Sequence, residues 1–193
     1  MKIDPLVSGY YYHIYNQGIN KERIFKHEEH YRKFLTLCEK FLFCQVDVYA
    51  YCLMPNHFHF LVYVPESPGH PDRVPPPCQG VLSLSHLFNA YAQWFNRQTN
   101  RTGGLFRRPF RRKRITDNYY LMQVLYYIHH NPIHHKYAEN PKDWSFSSYH
   151  ALIGDQPTQL KQNEVIAWFG GRKNFIAYHA THFEIDDIDI LES

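Results

Sequence analysis

The segment at residues 46–64 constrains the fold more than any other part of the chain. Two runs rich in β-branched and aromatic side chains, residues 46–53 and 57–64, are separated only by a short turn that contains Pro-Asn. Such runs favour strands, and a connection this short predicts an antiparallel hairpin. Because alternate residues of a strand share a face, His57 and His59 point one way and the alternating phenylalanines the other. The segment therefore predicts a sheet with one face suited to packing and one suited to binding.

The rest of the chain supplies further elements around this hairpin. Strand patterns occur at residues 10–15 and 111–115, and apolar residues recur at helical spacing in residues 28–43, 84–95 and 121–130. The order strand, helix, strand, strand, helix, strand is the split βαβ arrangement. We therefore predict an α+β domain of the ferredoxin-like or RRM-like kind, with a four-stranded antiparallel sheet and a third helix after the last strand.

Composition separates one main domain from an appendage. Residues 65–80 are rich in proline, which predicts a long surface loop inside the main domain. That domain spans residues 1–154 and carries all the motifs described below. Residues 155–193 contain two short helical patterns and then an acidic tail without lysine or arginine. We predict a helical C-terminal extension there and assign no chemistry to it.

Composition also bounds the class of protein. The chain has 193 residues, 44% of them hydrophobic, which is enough for a buried core. No apolar run approaches the roughly 20 residues that span a bilayer, and the first residues lack the apolar stretch of a signal peptide. We expect a soluble, cytoplasmic protein without a membrane partner. The four cysteines show no C-x-x-C spacing, which predicts reduced thiols and no structural zinc.

Positive charge is concentrated in residues 97–114, although the net charge is only +3. This stretch contains no acid, and its arginines are interleaved with Phe106 and Phe110. Guanidinium groups beside aromatic rings suit backbone phosphates and unstacked bases, so we predict a nucleic-acid-binding surface. The alternative is a solvated charged face. The predicted binding residues are Arg97, Arg101, Arg107, Arg108, Arg111, Arg112, Lys113 and Arg114.

A second motif lies downstream of the histidine pair. Tyr127 stands four residues before Asn131, so the two are neighbours on a helix, with Gln123 one turn earlier on the same face. Pro132 disfavours helical geometry at the residue before it, and the helix is predicted to end near His130. A phenol, an amide and two imidazoles make a candidate phosphodiester site, although a His-x-His pair in a strand is often only polar decoration.

These motifs resemble those of a known family. The run Met54-Pro-Asn-His-Phe-His59 resembles the HUH signature of IS200-like single-tyrosine transposases. The run Tyr127-Ile-His-His-Asn-Pro132 resembles the nucleophile helix of their REP-associated tyrosine transposase branch. With the basic stretch before that helix and an aromatic, serine-rich stretch after it, the resemblance covers about residues 8–154.

The resemblance implies the fold predicted above and an enzyme that nicks single-stranded DNA and transfers the strand, reading a DNA hairpin. In the family, the HUH histidines hold Mg²⁺ or Mn²⁺, and a tyrosine attacks the phosphate to leave a 5′-phosphotyrosine and a free 3′-OH. By motif match, His57 and His59 are the expected metal ligands and Tyr127 the expected nucleophile. Relatives act as dimers or monomers, and we slightly favour a monomer here.

Several assignments stay open. Asn131 is the expected third ligand, but an asparagine before proline can instead cap the helix, in which case Gln123 or His130 replaces it. Tyr119 and Tyr120 compete for the role of nucleophile. The histidines around the end of the helix mostly add titratable positive charge near DNA. For the protein as a whole, the alternative is an RRM-like module or a degenerate transposase that binds nucleic acid without turnover.

Overall fold

The computed structural model describes residues 6–65 and 79–181, with side chains described from residue 83 in the second range. Most of the predicted proline-rich loop, Cys78 and the acidic tail lie outside these residues. The strands are β1 (Tyr10–Gln17), β2 (Asp47–Met54), β3 (His57–Val64) and β4 (Arg111–Ile115). The helices are α1 (Glu28–Phe41), α2 (Gln79–Gln98), α3 (Asn118–His134), α4 (Tyr149–Ile153), α5 (Gln162–Trp168) and α6 (Arg172–Ala180).

The four strands form one antiparallel sheet in the order β2-β3-β1-β4. With α1 and α2 as the crossover helices, this is the split βαβ unit, and the predicted fold class is confirmed. The central strands β1 and β3 pair with Tyr15 opposite His59 and Gln17 opposite His57. On its other side β1 pairs with β4, which places Arg111 opposite Tyr15. The end of β1 and the starts of β3 and β4 therefore lie side by side at one end of the sheet.

One face of the sheet carries the main hydrophobic core. Phe58 is fully buried, and its ring contacts Phe34 of α1 and Phe88 of α2 at centroid distances of 5.1 and 5.5 Å. Phe106 and Phe110, which we predicted from sequence to contact unstacked bases, are buried in this same core against Phe88. That prediction is wrong, because a ring can stack on a base only where its face is exposed.

The opposite face of the sheet is covered by α3. Leu61 shares this face with the histidine pair and is fully buried, as are Val124, Leu125 and Ile128 on α3. The prediction of one packed face and one binding face is therefore wrong for most of the sheet. The end of this face that carries the start of β3 is open, since His57 there is half-buried.

Helix α3 continues past the predicted end near His130 and includes Pro132. The N–H of His135 donates to the Asn131 carbonyl at 3.1 Å, and the N–H of Tyr137 donates to the Pro132 carbonyl at 2.8 Å. Asn131 is also fully buried. These bonds and this burial hold the residue before the proline in the helix, against its local preference for extended geometry.

The short C-terminal helices pack on the same core. Val165 of α5 and Phe175 of α6 are fully buried. The His129 imidazole on α3 bridges His179 of α6 at 2.9 Å and the Ser148 hydroxyl at 2.8 Å. Helix α6 of the C-terminal extension is therefore docked on α3, and α5 contacts β2 through the Glu164 carboxylate, which accepts from the Tyr49 hydroxyl at 2.6 Å.

Two further observations bear on expectations from composition. Among the helices of the described ranges, none combines the length and the apolar character needed to cross a membrane. Cys38, Cys44 and Cys52 are free thiols, as predicted.

Candidate active site

The histidine pair lies at the end of the sheet, beside a cavity of about 290 Å³. His57 is the first residue of β3, and His59 follows on the same face. His57 is half-buried, whereas His59 is only 2% exposed. The cavity is lined by Tyr15, Asn16, Gln17, Lys21, Asn56, His57, His59, Arg107, Arg111 and His135.

The amide of Asn131 joins the two imidazoles. Its Oδ1 lies 2.7 Å from Nε2 of His57, and its Nδ2 lies 3.4 Å from Nε2 of His59. The buried position on α3, four residues after Tyr127, brings this amide to the sheet. The three residues that the sequence proposes as metal ligands therefore come together in the structure.

Each histidine of the pair has a second polar partner on its other ring nitrogen. Nδ1 of His57 is 2.7 Å from Oδ1 of Asn56, and Nδ1 of His59 is 2.9 Å from Nε2 of His13. Such partners fix the orientation and the tautomer of a ligating imidazole. No specific sequence signal marks His13, which is one imidazole in an apolar strand, and Asn56 reads from sequence only as a turn residue.

Burial keeps the inner histidines neutral. It lowers the pKa of His13 to about 3, with the charge of Lys113 adding to the effect. It also lowers the pKa of His59 well below its usual range, and the neighbouring imidazoles of His13, His57 and His135 act in the same direction. A neutral imidazole presents a lone pair, which is the form in which histidine binds metal ions.

The fixed charge of the cavity is positive. Lys21, Arg107 and Arg111 line it, and none of the described residues in its wall is acidic. Arg107 is held against β1: its N–H donates to the Gln17 carbonyl at 2.9 Å, and its carbonyl accepts from the Asn16 amide at 3.2 Å. With the Gln17 amide turned so that its oxygen faces the guanidinium, Arg107 Nε also donates to that oxygen at 3.2 Å. A cavity with these charges favours an anion such as a phosphodiester.

The other predicted nucleic-acid-binding residues lie elsewhere. Arg101 forms an ion pair with Glu22 at 2.8 Å and donates to the Gly104 carbonyl at 2.7 Å, so its guanidinium is engaged within the fold. Arg108 and Arg112 line a groove beside α2, Arg97 is exposed near the end of α2, and Lys113 and Arg114 lie over the rings of Tyr120 and Tyr10.

Tyr127 lies beside the histidine pair but is fully buried. The centroid of its ring is 5.3 Å from that of His59 and 6.0 Å from that of His134. It is not part of the cavity wall. The predicted nucleophile is therefore adjacent to the predicted ligands of the same chain, and a phosphate can reach its hydroxyl only if the covering side chains or the end of α3 move.

The alternative site residues lie at different places on α3. Tyr119 is 75% exposed at the start of the helix, and Gln123 is half-buried one turn before the predicted nucleophile. His130 faces α6, with its Nε2 3.0 Å from the His179 carbonyl. His129 is also buried against α6, and burial lowers its pKa well below the usual range. The prediction of titratable charge near DNA is therefore wrong for His129, and His130 faces α6 rather than the cavity.

The donor set is compatible with a divalent cation. Across the described ranges, no three His, Cys, Asp or Glu side chains converge to hold a metal ion, so a set built on His57 and His59 needs the amide of Asn131. The 2.7 Å between His57 Nε2 and Asn131 Oδ1 is near the separation of about 3 Å between adjacent ligands of an octahedral Mg²⁺ or Mn²⁺. Two imidazoles and one amide suit Mn²⁺ better than Mg²⁺, which prefers oxygen.

The fold and the site together define a class: a ferredoxin-like protein with a His-x-His pair on a central strand and a helical tyrosine and amide beside it. No family model matches the chain. The chain is 30% identical over 122 residues to a Haemophilus influenzae protein named "Putative REP-associated tyrosine transposase"; the match covers 58% of the chain and 62% of that relative.

A solved structure of a REP-associated tyrosine transposase bound to a REP hairpin has the same fold. Its TM-score to this chain is 0.57 at 14% identity, over 81% of the chain and 88% of that structure. The resemblance to REP-associated tyrosine transposases, drawn above from the motifs, is confirmed by the Haemophilus influenzae relative, and the solved structure shows the same fold.

Proposed function

We propose that this protein is a metal-dependent transposase that nicks single-stranded DNA, transfers the strand and recognises a DNA hairpin. The observation that carries the proposal is the convergence of His57, His59 and Asn131 beside Tyr127, at a cavity whose fixed charge is positive. A module that only binds nucleic acid needs none of these contacts. The similarity to a curated relative and to a solved transposase supports the same function.

Each of the residues at this site would have its own role in the reaction. His57, His59 and Asn131 would hold Mg²⁺ or Mn²⁺, which when bound polarises the scissile phosphate and neutralises charge on it. Arg107 would hold the phosphate group in place through its anchored guanidinium. The Tyr127 oxygen would then attack phosphorus and lose its proton to solvent. The bond to the 3′ oxygen would break and that oxygen would take up a proton from solvent, leaving a 5′-phosphotyrosine and a 3′-OH. The reverse attack would rejoin strands without ATP.

The burial of Tyr127 favours a second candidate function. A protein that keeps this hydroxyl covered in the presence of DNA would bind a hairpin without cutting it. For turnover, the covering side chains or the end of α3 must move, and near that end Pro132 lacks the N–H that a helix normally donates to the Ile128 carbonyl. The two candidates therefore differ in whether DNA and metal expose the tyrosine.

The deciding experiment uses the full chain with hairpins from the flanks of its own gene, labelled at either end. The protein is incubated with Mn²⁺, Mg²⁺ or EDTA, and covalent adducts are separated on denaturing gels. We expect a metal-dependent, protease-sensitive adduct on the 5′ end of the released strand, lost in Tyr127→Phe and kept in the matched control Tyr119→Phe. Tight binding with no adduct under any condition would favour the binding function, and an adduct that persists in Tyr127→Phe would move the nucleophile to Tyr119 or Tyr120.

A further inference from the structure

A third histidine, outside the His-x-His pair, is built into the site. His13 on β1 is fully buried on the same face of the sheet as His59, with their ring centroids 5.1 Å apart. Its Nε2 lies 2.9 Å from Nδ1 of His59. Its ring also lies 6.1 Å from that of Tyr127. Nothing in the resemblance or in the comparisons assigns this residue a role.

The contacts around His59 determine where its proton lies. Two neutral imidazoles 2.9 Å apart must share one N–H, so either His59 Nδ1 or His13 Nε2 is the donor. On the opposite side of the ring, His59 Nε2 faces the Asn131 amide nitrogen, which is also a donor. The oxygen of the same amide faces Nε2 of His57 at 2.7 Å. With the amide in this orientation, His59 Nε2 carries the lone pair, and its proton is on Nδ1, donated to His13.

This arrangement leaves one polar group unsatisfied. If His13 accepts on Nε2, its own proton is on Nδ1, and within the described parts of the chain that buried nitrogen has no hydrogen-bond partner. A buried N–H without a partner costs free energy, and such groups in native proteins tend to mark function. An apolar side chain would fill this core position without that cost. The contact with His59 is the one feature that an apolar side chain could not supply.

We propose that His13 is a positioning residue, which accepts the Nδ1 proton of His59 and so fixes the tautomer whose Nε2 lone pair points toward Asn131. This is the tautomer that a metal ligand requires, since the ligating nitrogen must be unprotonated. The link to metal binding rests on the proposed function, but the tautomer itself does not. The simpler reading is that His13 only fills the core, and it predicts no effect on the protonation of His59.

The test reads the tautomer directly in the metal-free full chain. Side-chain ¹⁵N NMR of histidine-labelled protein at pH 7.5, assigned with His59→Asn, should show His59 protonated on Nδ1 and unprotonated on Nε2. The His13→Phe variant keeps a ring but cannot accept a hydrogen bond from His59. In this variant we expect His59 to shift toward the Nε2-protonated form. His13→Gln, which restores an acceptor, should recover the wild-type tautomer, and His30→Phe should leave it unchanged because this buried imidazole lies on α1.

Metal affinity supplies a second readout. Titration of the same proteins with Mn²⁺ by calorimetry should show affinity reduced about 10- to 100-fold in His13→Phe and largely restored in His13→Gln. A wild-type His59 protonated on Nε2, or a tautomer that does not change in His13→Phe, would overturn the inference. If no variant binds metal but the tautomer responds as expected, the positioning role stands and the proposed metal dependence fails. If His13→Phe does not fold, His13→Leu, which also cannot accept a hydrogen bond from His59, takes its place.

Discussion

At the scale of single residues, the site relies on neighbours of the ligands as much as on the ligands. Asn56 contacts Nδ1 of His57 on the outer side of the pair, as His13 contacts Nδ1 of His59 on the inner side. Both contacts leave Nε2 directed toward Asn131. The two differ in exposure, since Asn56 is half-buried in the cavity wall and His13 is in the core.

Replacing Asn56 with alanine should weaken metal binding about 10- to 100-fold, because His57 loses the side-chain contact that holds its ring in place. Its backbone carbonyl, which accepts from Gly18, is unaffected by the change. Calorimetric titration with Mn²⁺ measures the effect. Asn56→Asp keeps an acceptor and should retain affinity, and Asn89→Ala, an exposed amide outside the cavity, is the control. Equal affinity in Asn56→Ala and wild type would show that this contact does not support the site.

The basic residues should separate into two groups when DNA binding is measured against salt. Arg107 lines the cavity, so Arg107→Gln should lower the slope of log K against log salt by roughly 0.7 to 1, the value for one phosphate contact. Arg101 is paired with Glu22, so Arg101→Gln should leave the slope unchanged and lower thermal stability instead. Fluorescence anisotropy with a labelled hairpin between 50 and about 300 mM salt distinguishes the two. Identical slopes for both variants would contradict the assignment of Arg107 to the site.

At the scale of elements, the site depends on how the segment after β1 is fastened to the hairpin turn. Gly18 donates to the Asn56 carbonyl at 2.8 Å, and Ile24 and Phe25 both donate to the Pro55 carbonyl, at 2.8 and 2.9 Å. Between these anchors the chain passes through left-handed backbone geometry, which brings Lys21 to the cavity. The turn that presents His57 and the loop that supplies positive charge thus form one unit.

Gly18→Ala should loosen this unit, because a Cβ at Gly18 would lie 2.2 Å from the Glu22 carbonyl oxygen, closer than real contacts allow. The resulting backbone shift should lower the free energy of unfolding by about 1–3 kcal/mol, measured by urea denaturation. Gly104→Ala is the matched control, since its Cβ would meet only the flexible end of Ile19. A Gly18→Ala variant as stable as the control would show that the loop adapts at little cost.

The sequence predicts which residues form strands and helices better than it predicts which residues those elements pack against. β3 and β4 begin and end at the predicted residues, because alternation between turn signals is local information. The end of α3 was missed because the preference of a residue before proline is local, whereas the burial of Asn131 comes from packing on the sheet. The contact of His13 with His59 joins residues 46 positions apart, which no spacing within a motif encodes. For the same reason, Phe106 and Phe110 look suited to bases in sequence but belong to the core.

At the scale of the whole molecule, the fold holds at least four buried histidines in the neutral state. Burial lowers the pKa of His13 and of His179 to about 3, and lowers the pKa of His59 and of His129 well below the usual range. In the unfolded chain each returns to a pKa near 6.5. At pH values between the lowered pKa of the folded state and the pKa of the unfolded state, the unfolded chain binds more protons than the folded one. The free energy of unfolding must therefore fall as the pH falls below about 6.5.

We therefore expect the metal-free protein to be several kcal/mol less stable at pH 5 than at pH 7.5, at roughly 2 kcal/mol for each buried neutral histidine. Urea denaturation at both pH values measures the difference, in a range where most carboxylates keep their charge. His179→Gln removes one of the four groups, and its own α6 contacts, so it should be less stable than wild type at pH 7.5 but lose less stability between the two pH values. The difference in free energy of unfolding between wild type and His179→Gln should be smaller at pH 5 than at pH 7.5 by roughly 2 kcal/mol, because the variant lacks one imidazole that must stay neutral in the fold. Equal stability of the wild type at both pH values would mean that these imidazoles gain protons while the protein stays folded. The packing of α3 between the sheet and α6 would then be looser than its contacts indicate.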